Sequence, residues 1–404
     1  MTMARAGGDA GAITMPLGFR ASAVAAGIKP DRLDLALIAA DAPCAAAGVF
    51  TTNRAVAAPV VVSREHVGAG RARAIVVNAG CANAATGESG LRDAREMAAR
   101  TALGLGCAAS EVLVASTGVI GVPLPMDKVR AGIEAACASL SSERGGDMAR
   151  AILTTDTRPK EVLVEASVGG RRVRVAGIAK GAGMIAPNMA TLLAFFTTDA
   201  AIAPAVLRAA LVAAVGETLN RITVDGDMST NDTALILASG ASGSPSIEGP
   251  GADHDAFVAA LTEASRGLAE MVVRDGEGAT RVAQVRVEGA ATPRDADVVA
   301  RTIAESPLVK TALHGGDPNW GRILAAVGRS GIAIGARGVD IHLGDIPVAA
   351  GSAALLYDEE AAHQAMLADP VRIRVVLHEG TATGWMWTCD FSHGYVDINA
   401  HYRS

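Results

Sequence analysis

Short apolar runs, each closed off by turn residues, alternate along the chain with longer stretches whose apolar positions recur every three or four residues. That alternation predicts strands separated by helices. "AGVFTTN" and "APVVVS" read as early strands, and "RAIVVNAG" as a buried one. "GESGLRDAREMAARTALGLG" has helical spacing and ends in glycines suited to a C-cap. "EVLVAST" predicts a strand that stops at Gly118, and residues 125–140 and 142–153 predict helices. "EVLVEASVGGRRVRVAGIAK" predicts a hairpin turning at Gly169 and Gly170. Further on, "LLAFFTT" and "DTALILAS" predict strands, and residues 204–219 and 254–273 predict helices, the first opened by Pro204. "SGASGSPSIEGPGAD" is the most linker-like stretch and is expected to be flexible. The pattern is that of a mixed α/β chain whose functional loops follow strand ends.

A length of 404 residues allows two or three compact units with sizeable cores. Half the residues are hydrophobic but only 3% are aromatic, so the core must be built from layered Ala, Val, Leu and Ile. Few aromatics and a formal net charge of -6 speak against a nucleic-acid surface, which needs stacking platforms and basic residues. Small-molecule chemistry is the expectation. The five cysteines, Cys44, Cys81, Cys107, Cys137 and Cys389, form no C-x-x-C pair and read as reduced thiols of a cytoplasmic protein. Pro16, Arg20, Lys29 and Pro30 interrupt any export signal, and residues 200–216, with Pro204 and Arg208, fall short of a membrane span. A soluble protein is expected.

The sequence contains no G-x-x-x-x-G-K-[ST], no H-E-x-x-H and no G-x-S-x-G, and its eight histidines are scattered. Neither a zinc site nor a bound cofactor is expected. One junction stands out: in "KGAGMIAPNMATLLAFFTTDA" a Gly- and Pro-containing loop runs through Ala190 into Thr191 at the head of an apolar strand. Thr191 could be a strand-starting β-former. It could also be a nucleophile made by cutting the chain before it. An N-terminal threonine carries its own base, since an α-amino group titrates near ~7.7–8.0 and can take the hydroxyl proton. An N-to-O acyl shift followed by hydrolysis would expose it.

Other segments carry compatible chemistry. Lysine occurs only at positions 29, 128, 160, 180 and 310 against plentiful arginine, so Lys180 is either a solvated strand end or a charge placed for use. "STGVIG" ends a strand with Thr117 and Gly118, where backbone N–H groups can converge on an oxyanion; losing one such donor costs roughly 2.7–4 kcal/mol in the barrier. "VRDGEGAT" places Asp275 and Glu277 in a Gly-bearing loop. "VDGDMSTND" resembles a calcium loop but lacks its closing glutamate, and reads as a structured turn near a site.

Taken together, "GFRASAVAAGIK", "VVNAGCANAATG", "STGVIGVPLPM", "KGAGMIAPNMATLLAFFTTDA", "VDGDMSTNDT", "VRDGEGAT", "GGDPNWGRI" and "INAHYRS" span nearly the whole chain. In this order they resemble the ornithine acetyltransferase family, the bifunctional glutamate N-acetyltransferase/amino-acid acetyltransferases of arginine biosynthesis. The resemblance implies a precursor that cuts itself between Ala190 and Thr191 into an α chain, 1–190, and a β chain, 191–404, which stay together as α2β2. It implies transfer of the acetyl group of N2-acetylornithine through an acetyl-threonine to glutamate, with acetyl-CoA as a possible second donor. The implied fold is a layered α-β-β-α sandwich. By matching motif, Thr191 is the nucleophile and Thr117 and Gly118 the oxyanion hole, while Thr154, Lys180, Thr191, Glu277, Asn399 and Ser404 contact substrate. Lys180 suits an α-carboxylate and Glu277 the cationic side chain of ornithine. His401, where an acidic residue is expected, and Ala186, where His is frequent, depart from the family pattern. An N-terminal-nucleophile amidase or aminopeptidase, passing the acyl group to water, is the enzymatic alternative. A non-catalytic protein with an uncut chain is the other.

Overall fold

The computed structural model describes residues 2–4, 11–186 and 192–401. Among these, the strands form two sheets. The larger runs in the order Thr2–Ala4, Lys160–Val168, Arg171–Lys180, Leu193–Thr198, Thr233–Ala238, Leu35–Phe50, Arg71–Cys81 and Val112–Val119, with Phe19–Val24 also paired to Leu35–Phe50. Period-two alternation sends successive side chains to opposite faces, and this sheet is covered on both.

Strand Leu35–Phe50, 16 residues long, shows how the layers arise. Near its start, Leu35, Leu37 and Ala39 face outward against Met97 of helix Gly87–Leu105 and Ile133 of helix Met126–Ala138. Near its end, Ala47 and Val49 face outward into a second cluster, with Leu207 and Leu211 of helix Pro204–Glu217 and Phe257 and Leu261 of helix Ala252–Arg274. Its pairing with Arg71–Cys81 breaks register between Ala39 and Cys44, the kind of irregularity that bends and twists a strand. The two halves of the sheet thereby face one another. Ile38, Ile75 and Leu113 from one half pack with Phe195, Leu235 and Leu237 from the other. Helix, sheet, sheet and helix follow in sequence, which is the expected α-β-β-α layering. The cut expected at residue 190 does not separate packing units, because Leu193–Thr198 and Thr233–Ala238 sit in the middle of this sheet.

The smaller sheet runs Ala353–Ala354, Ile346–Ala350, Asp340–Leu343, Val371–Val376, Val282–Ala290, Ala382–Cys389 and Ile222–Thr223. Val285, Val287, Ile373 and Val375 on one of its faces pack with Val299 and Ile303 of helix Pro293–Ala304 and Leu313 of helix Pro307–Gly315. Ile222 and Thr223 pair with Trp387 and Thr388, bringing the end of this unit back to the larger sheet. No helix among the described residues is long and apolar enough to cross a membrane.

Most predicted elements form, with informative exceptions. "APVVVS" is not a strand but the start of helix Ala58–His66: Pro59 suits the first turn, and Val62 and Ser63 are buried, with Ser63 Oγ donating to Val114 O at 2.6 Å. Tertiary contact here outweighs the β-preference of valine. The helix expected over 142–153 shortens to Gly145–Ala151, and the strand expected to stop at Gly118 continues to Val119. The stretch expected to be a flexible linker is irregular, but buried Ile247 bridges to Ile202 and pins it to the core.

The layered core makes a stability test. Phe195, fully buried where the two sheet halves meet, is expected to cost about 3–5 kcal/mol when changed to Ala. Urea unfolding should register that loss, whereas Leu356→Ala, at a fully exposed position, should leave the midpoint in place.

Candidate functional site

One pocket gathers Thr117, Gly118, Thr154, Lys180, Glu277 and Asn399. Six of the expected site residues, drawn from segments far apart in the chain, thus meet. Ala190, Thr191 and Ser404 lie outside the described residues. Leu192, which follows Thr191 in the chain, lines the same pocket.

Thr117 and Gly118 sit near the end of Val112–Val119, which runs parallel to Arg71–Cys81 with Gly80 opposite Gly118. Gly118 has φ 126°, and a Cβ there would come within 2.6 Å of the Cys81 nitrogen, so only glycine lets the two strand ends pass this closely. Side-chain amides hold the crossing in place. Asn231 Nδ2 donates to Ser116 O at 2.9 Å and Ala82 O at 2.6 Å, and Ser116 Oγ donates to Asn78 Oδ1 at 2.6 Å.

Lys180 ends its strand opposite Leu193 and donates from Nζ to Thr117 Oγ1 at 3.3 Å. Burial pushes its ammonium below the usual lysine range, against the attraction of Asp156, Asp232 and Glu277. The next residue, Gly181, donates its N–H to Asp156 Oδ1 at 2.6 Å. Asp156 Oδ2 accepts from Thr154 N at 3.1 Å. Lys160, completely buried, bridges Asp156 at 2.7 Å and Asp275 at 2.6 Å. Burial alone would raise the Asp156 carboxyl, but Lys180 and Lys160 outweigh it and hold it down at about 2. Asp275 also accepts from the Thr157 hydroxyl and, at 3.1 Å, from its N–H. One lysine therefore ties the Thr154 loop, the end of the Lys180 strand and the Asp275 loop into a single unit.

Glu277 is carried by that last loop. Its N–H donates to Ala182 O at 2.8 Å, and its Oε2 accepts from Asn399 Nδ2 at 2.8 Å. Asn399 belongs to helix His393–His401, which the Ser392 hydroxyl anchors to Gly278 O. His401 is exposed and contacts Asp397 O at 2.9 Å through Nδ1. On the opposite wall, Asp225 accepts from the N–H groups of Met184 and Ile185, fixing the segment that leads toward residue 187. "VDGDMSTND", read from sequence as a turn near a site, supplies Asp225, Asp227, Ser229, Asn231 and Asp232 to the lining. Asp156 and Tyr395 carried no signal in the sequence. Asp275, read with Glu277 as a pair, serves Lys160 instead of the pocket.

Chemically the pocket combines a glycine-bearing turn, a cation, carboxylates and an amide, groups able to hold a small zwitterion.

A family model described as the ArgJ family matches residues 20–404. Among similar proteins, the arginine biosynthesis bifunctional protein ArgJ of Symbiobacterium thermophilum is 49% identical over 398 residues, covering 98% of this chain and 99% of the relative. The protein of the same name from Dehalococcoides mccartyi is 48% identical, with 98% of each chain covered. The crystal structure of ArgJ from Bacillus halodurans is 45% identical with a TM-score of 0.50, covering 52% of this chain and 98% of the solved one.

The buried ion triad yields a test with a defined sign. Lys160→Met leaves two buried carboxylates facing each other and is expected to cost about 3–5 kcal/mol at neutral pH in denaturant unfolding. In the wild type the Asp156 contribution is complete above its ordinary 3.8 and is lost as pH falls toward about 2. The gap between the two proteins should therefore narrow on acidification, as the Asp156 carboxylate that Lys160 helps to hold charged takes up its proton.

Proposed function

Because the chain belongs to the ArgJ family, we propose that it is the glutamate N-acetyltransferase of arginine biosynthesis, carrying acetyl from N2-acetylornithine to glutamate on Thr191. The observation that carries this reading is the meeting of Thr117, Gly118, Lys180, Glu277 and Asn399 in one pocket lined also by Leu192. The chain is cut between Ala190 and Thr191, and the freed α-amino group takes the Thr191 hydroxyl proton as Oγ attacks the acetyl carbonyl. Donors at Thr117 and Gly118 stabilise the oxyanion as it forms. Ornithine leaves with that proton on its amine, and the amine of glutamate then attacks the acetyl-threonine by the reverse sequence. Lys180 binds the α-carboxylate shared by both substrates. Glu277, held by Asn399, receives the cationic side chain of ornithine.

The solved relative is covered almost completely by about half of this chain, which supports a polypeptide divided near its middle. The two products, 1–190 and 191–404, remain joined because the larger sheet is continuous across the cut: Lys180 pairs with Leu193. Thr154 and Ser404 complete the substrate contacts, and two such pairs make an α2β2 assembly in the cytoplasm. No bound cofactor takes part. The word bifunctional in the names of the relatives fits acetyl-CoA as a second donor feeding the same acetyl-threonine.

Denaturing intact mass should find two pieces in the wild type and one in Thr191→Ala. Ornithine release from acetylornithine should depend on glutamate; release to water at the same rate would favour an amidase instead. Thr117→Ala should lower kcat/KM by about 100-fold or more. Since burial depresses the Lys180 ammonium, its charge is present at low pH and is lost as pH rises through a value below the ordinary 10.5. The KM for acetylornithine should therefore rise on the alkaline side, and Lys180→Arg, which keeps its charge, should flatten that rise.

A further inference from the structure

The two substrates of the proposed reaction carry side chains of opposite charge, and the pocket is built for one sign. Ornithine brings an ammonium group, glutamate a carboxylate. Asp225, Asp227, Asp232 and Glu277 line the cavity, and Lys180 is the one cation among the described residues that do so. Burial pushes the carboxyls of Asp225 and Asp232 above their usual range. Even with both of those neutral, Asp227 and Glu277 outnumber Lys180, whose charge is matched to the α-carboxylate. Nearby lysines are engaged elsewhere: Lys160 bridges Asp156 and Asp275, Lys29 donates to Ala151 O and Leu153 O, and Lys310 donates to Thr388 Oγ1. The cavity measures about 130 Å³, small for a ligand pocket, so the two side chains must use the same space.

Glu277 cannot step aside for a second carboxylate. It is buried, its N–H is tied to Ala182 O at 2.8 Å, and its Oε2 accepts from Asn399 Nδ2 at 2.8 Å. A Cβ on Gly183 would lie 2.5 Å from Oε1, so the carboxylate rests against bare backbone. Around it in the cavity stand Tyr395 from the helix that carries Asn399, Lys180 from the strand end, and Asp225, Asp227 and Asp232 from the facing segment. Behind its loop, Asp390 accepts from the N–H groups of Thr280 and Arg281 and contacts His314. Among these, Lys180 alone brings positive charge into the cavity.

Two carboxylates in contact do not both stay ionised, and one proton between them turns repulsion into a hydrogen bond. We propose that the side-chain carboxyl of glutamate and Glu277 share one proton, so that Glu277 receives ornithine as a carboxylate and glutamate as half of an acid pair. The proton enters from water as glutamate binds and returns to water as acetylglutamate leaves. Ornithine needs no such proton, because its ammonium group neutralises Glu277 directly. Choice between the two acceptors is thereby tied to pH: each unit of rising pH costs glutamate about tenfold relative to ornithine. This pairing rests on the acetyl-transfer reading above.

A competition between acceptors tests the pairing in the working enzyme. Acetylornithine is the donor, and glutamate and isotope-labelled ornithine at equal concentration compete for the acetyl group. Mass spectrometry reads the initial ratio of acetylglutamate to labelled acetylornithine. Both acceptors attack with an α-amine and both use Lys180 and Thr191, so those contributions cancel in the ratio. In the wild type the ratio should fall about tenfold per unit between about pH 6 and 8. In Glu277→Gln, whose neutral amide needs no proton, it should be flat, and at the upper end of that range it should favour glutamate more than in the wild type. A flat wild-type ratio overturns the shared proton and leaves acetyl transfer standing. A slope undiminished in Glu277→Gln overturns Glu277 as the partner. Where that variant transfers to neither acceptor, the wild-type slope decides. A wild type that acetylates neither acceptor removes the acetyl-transfer reading, and this pairing with it.

Discussion

A single buried ammonium group holds the site together. Lys160 has no exposed side-chain surface and is shared between Asp156 and Asp275, and each carboxylate fastens a different segment. Asp156 takes the N–H groups of Thr154 and Gly181, and so sets where the Thr154 loop and the end of the Lys180 strand lie. Asp275 takes Thr157 and begins the loop that carries Glu277. A buried cation between two carboxylates is weak evidence of stabilisation relative to an apolar core, because desolvation offsets most of the attraction. Its value here is registry: remove the lysine and three segments lose a common reference point.

The opposite wall is fixed by neutral groups and close backbone contact. Asn231 bonds to carbonyls of Ser116 and Ala82 on both strand ends, and the absence of a Cβ at Gly118 lets them approach. Between the two walls passes the strand that follows Thr191, paired with Lys180 on one side and with Thr233 on the other. An expected cut at its head leaves both ladders intact from Leu193 onward. This is how a chain can be divided inside its largest sheet without dividing its core.

Much of this was legible in the sequence, and the reasons differ by residue. The larger elements follow from periodicity, and the order of motifs resembling the ornithine acetyltransferase family named six residues that now share a pocket. The scarcity of lysine was a sound signal. Besides Lys180 and Lys160, Lys29 donates to Ala151 O and Leu153 O, and buried Lys310 donates to Thr388 Oγ1 at 3.0 Å. What sequence could not supply was partnership: Asp275 reads as a loop acid, and Asp156 as nothing in particular, until Lys160 is seen between them. "APVVVS" was misread because a run of valines favours a strand by local preference, and only the contact of Ser63 with Val114 shows why a helix forms. Asp232 lies in a segment read as a turn, and nothing local reveals that it is buried in the pocket wall.

The proposed reaction passes acetyl through Thr191. Mixing purified enzyme with acetylornithine in the absence of glutamate, quenching in acid and mapping peptides by mass spectrometry tests it most directly. An acetyl group should appear on the Thr191 peptide and vanish when glutamate is added, with acetylglutamate formed in equal amount. Acetylglutamate appearing in a single turnover with Thr191 never acetylated would contradict it.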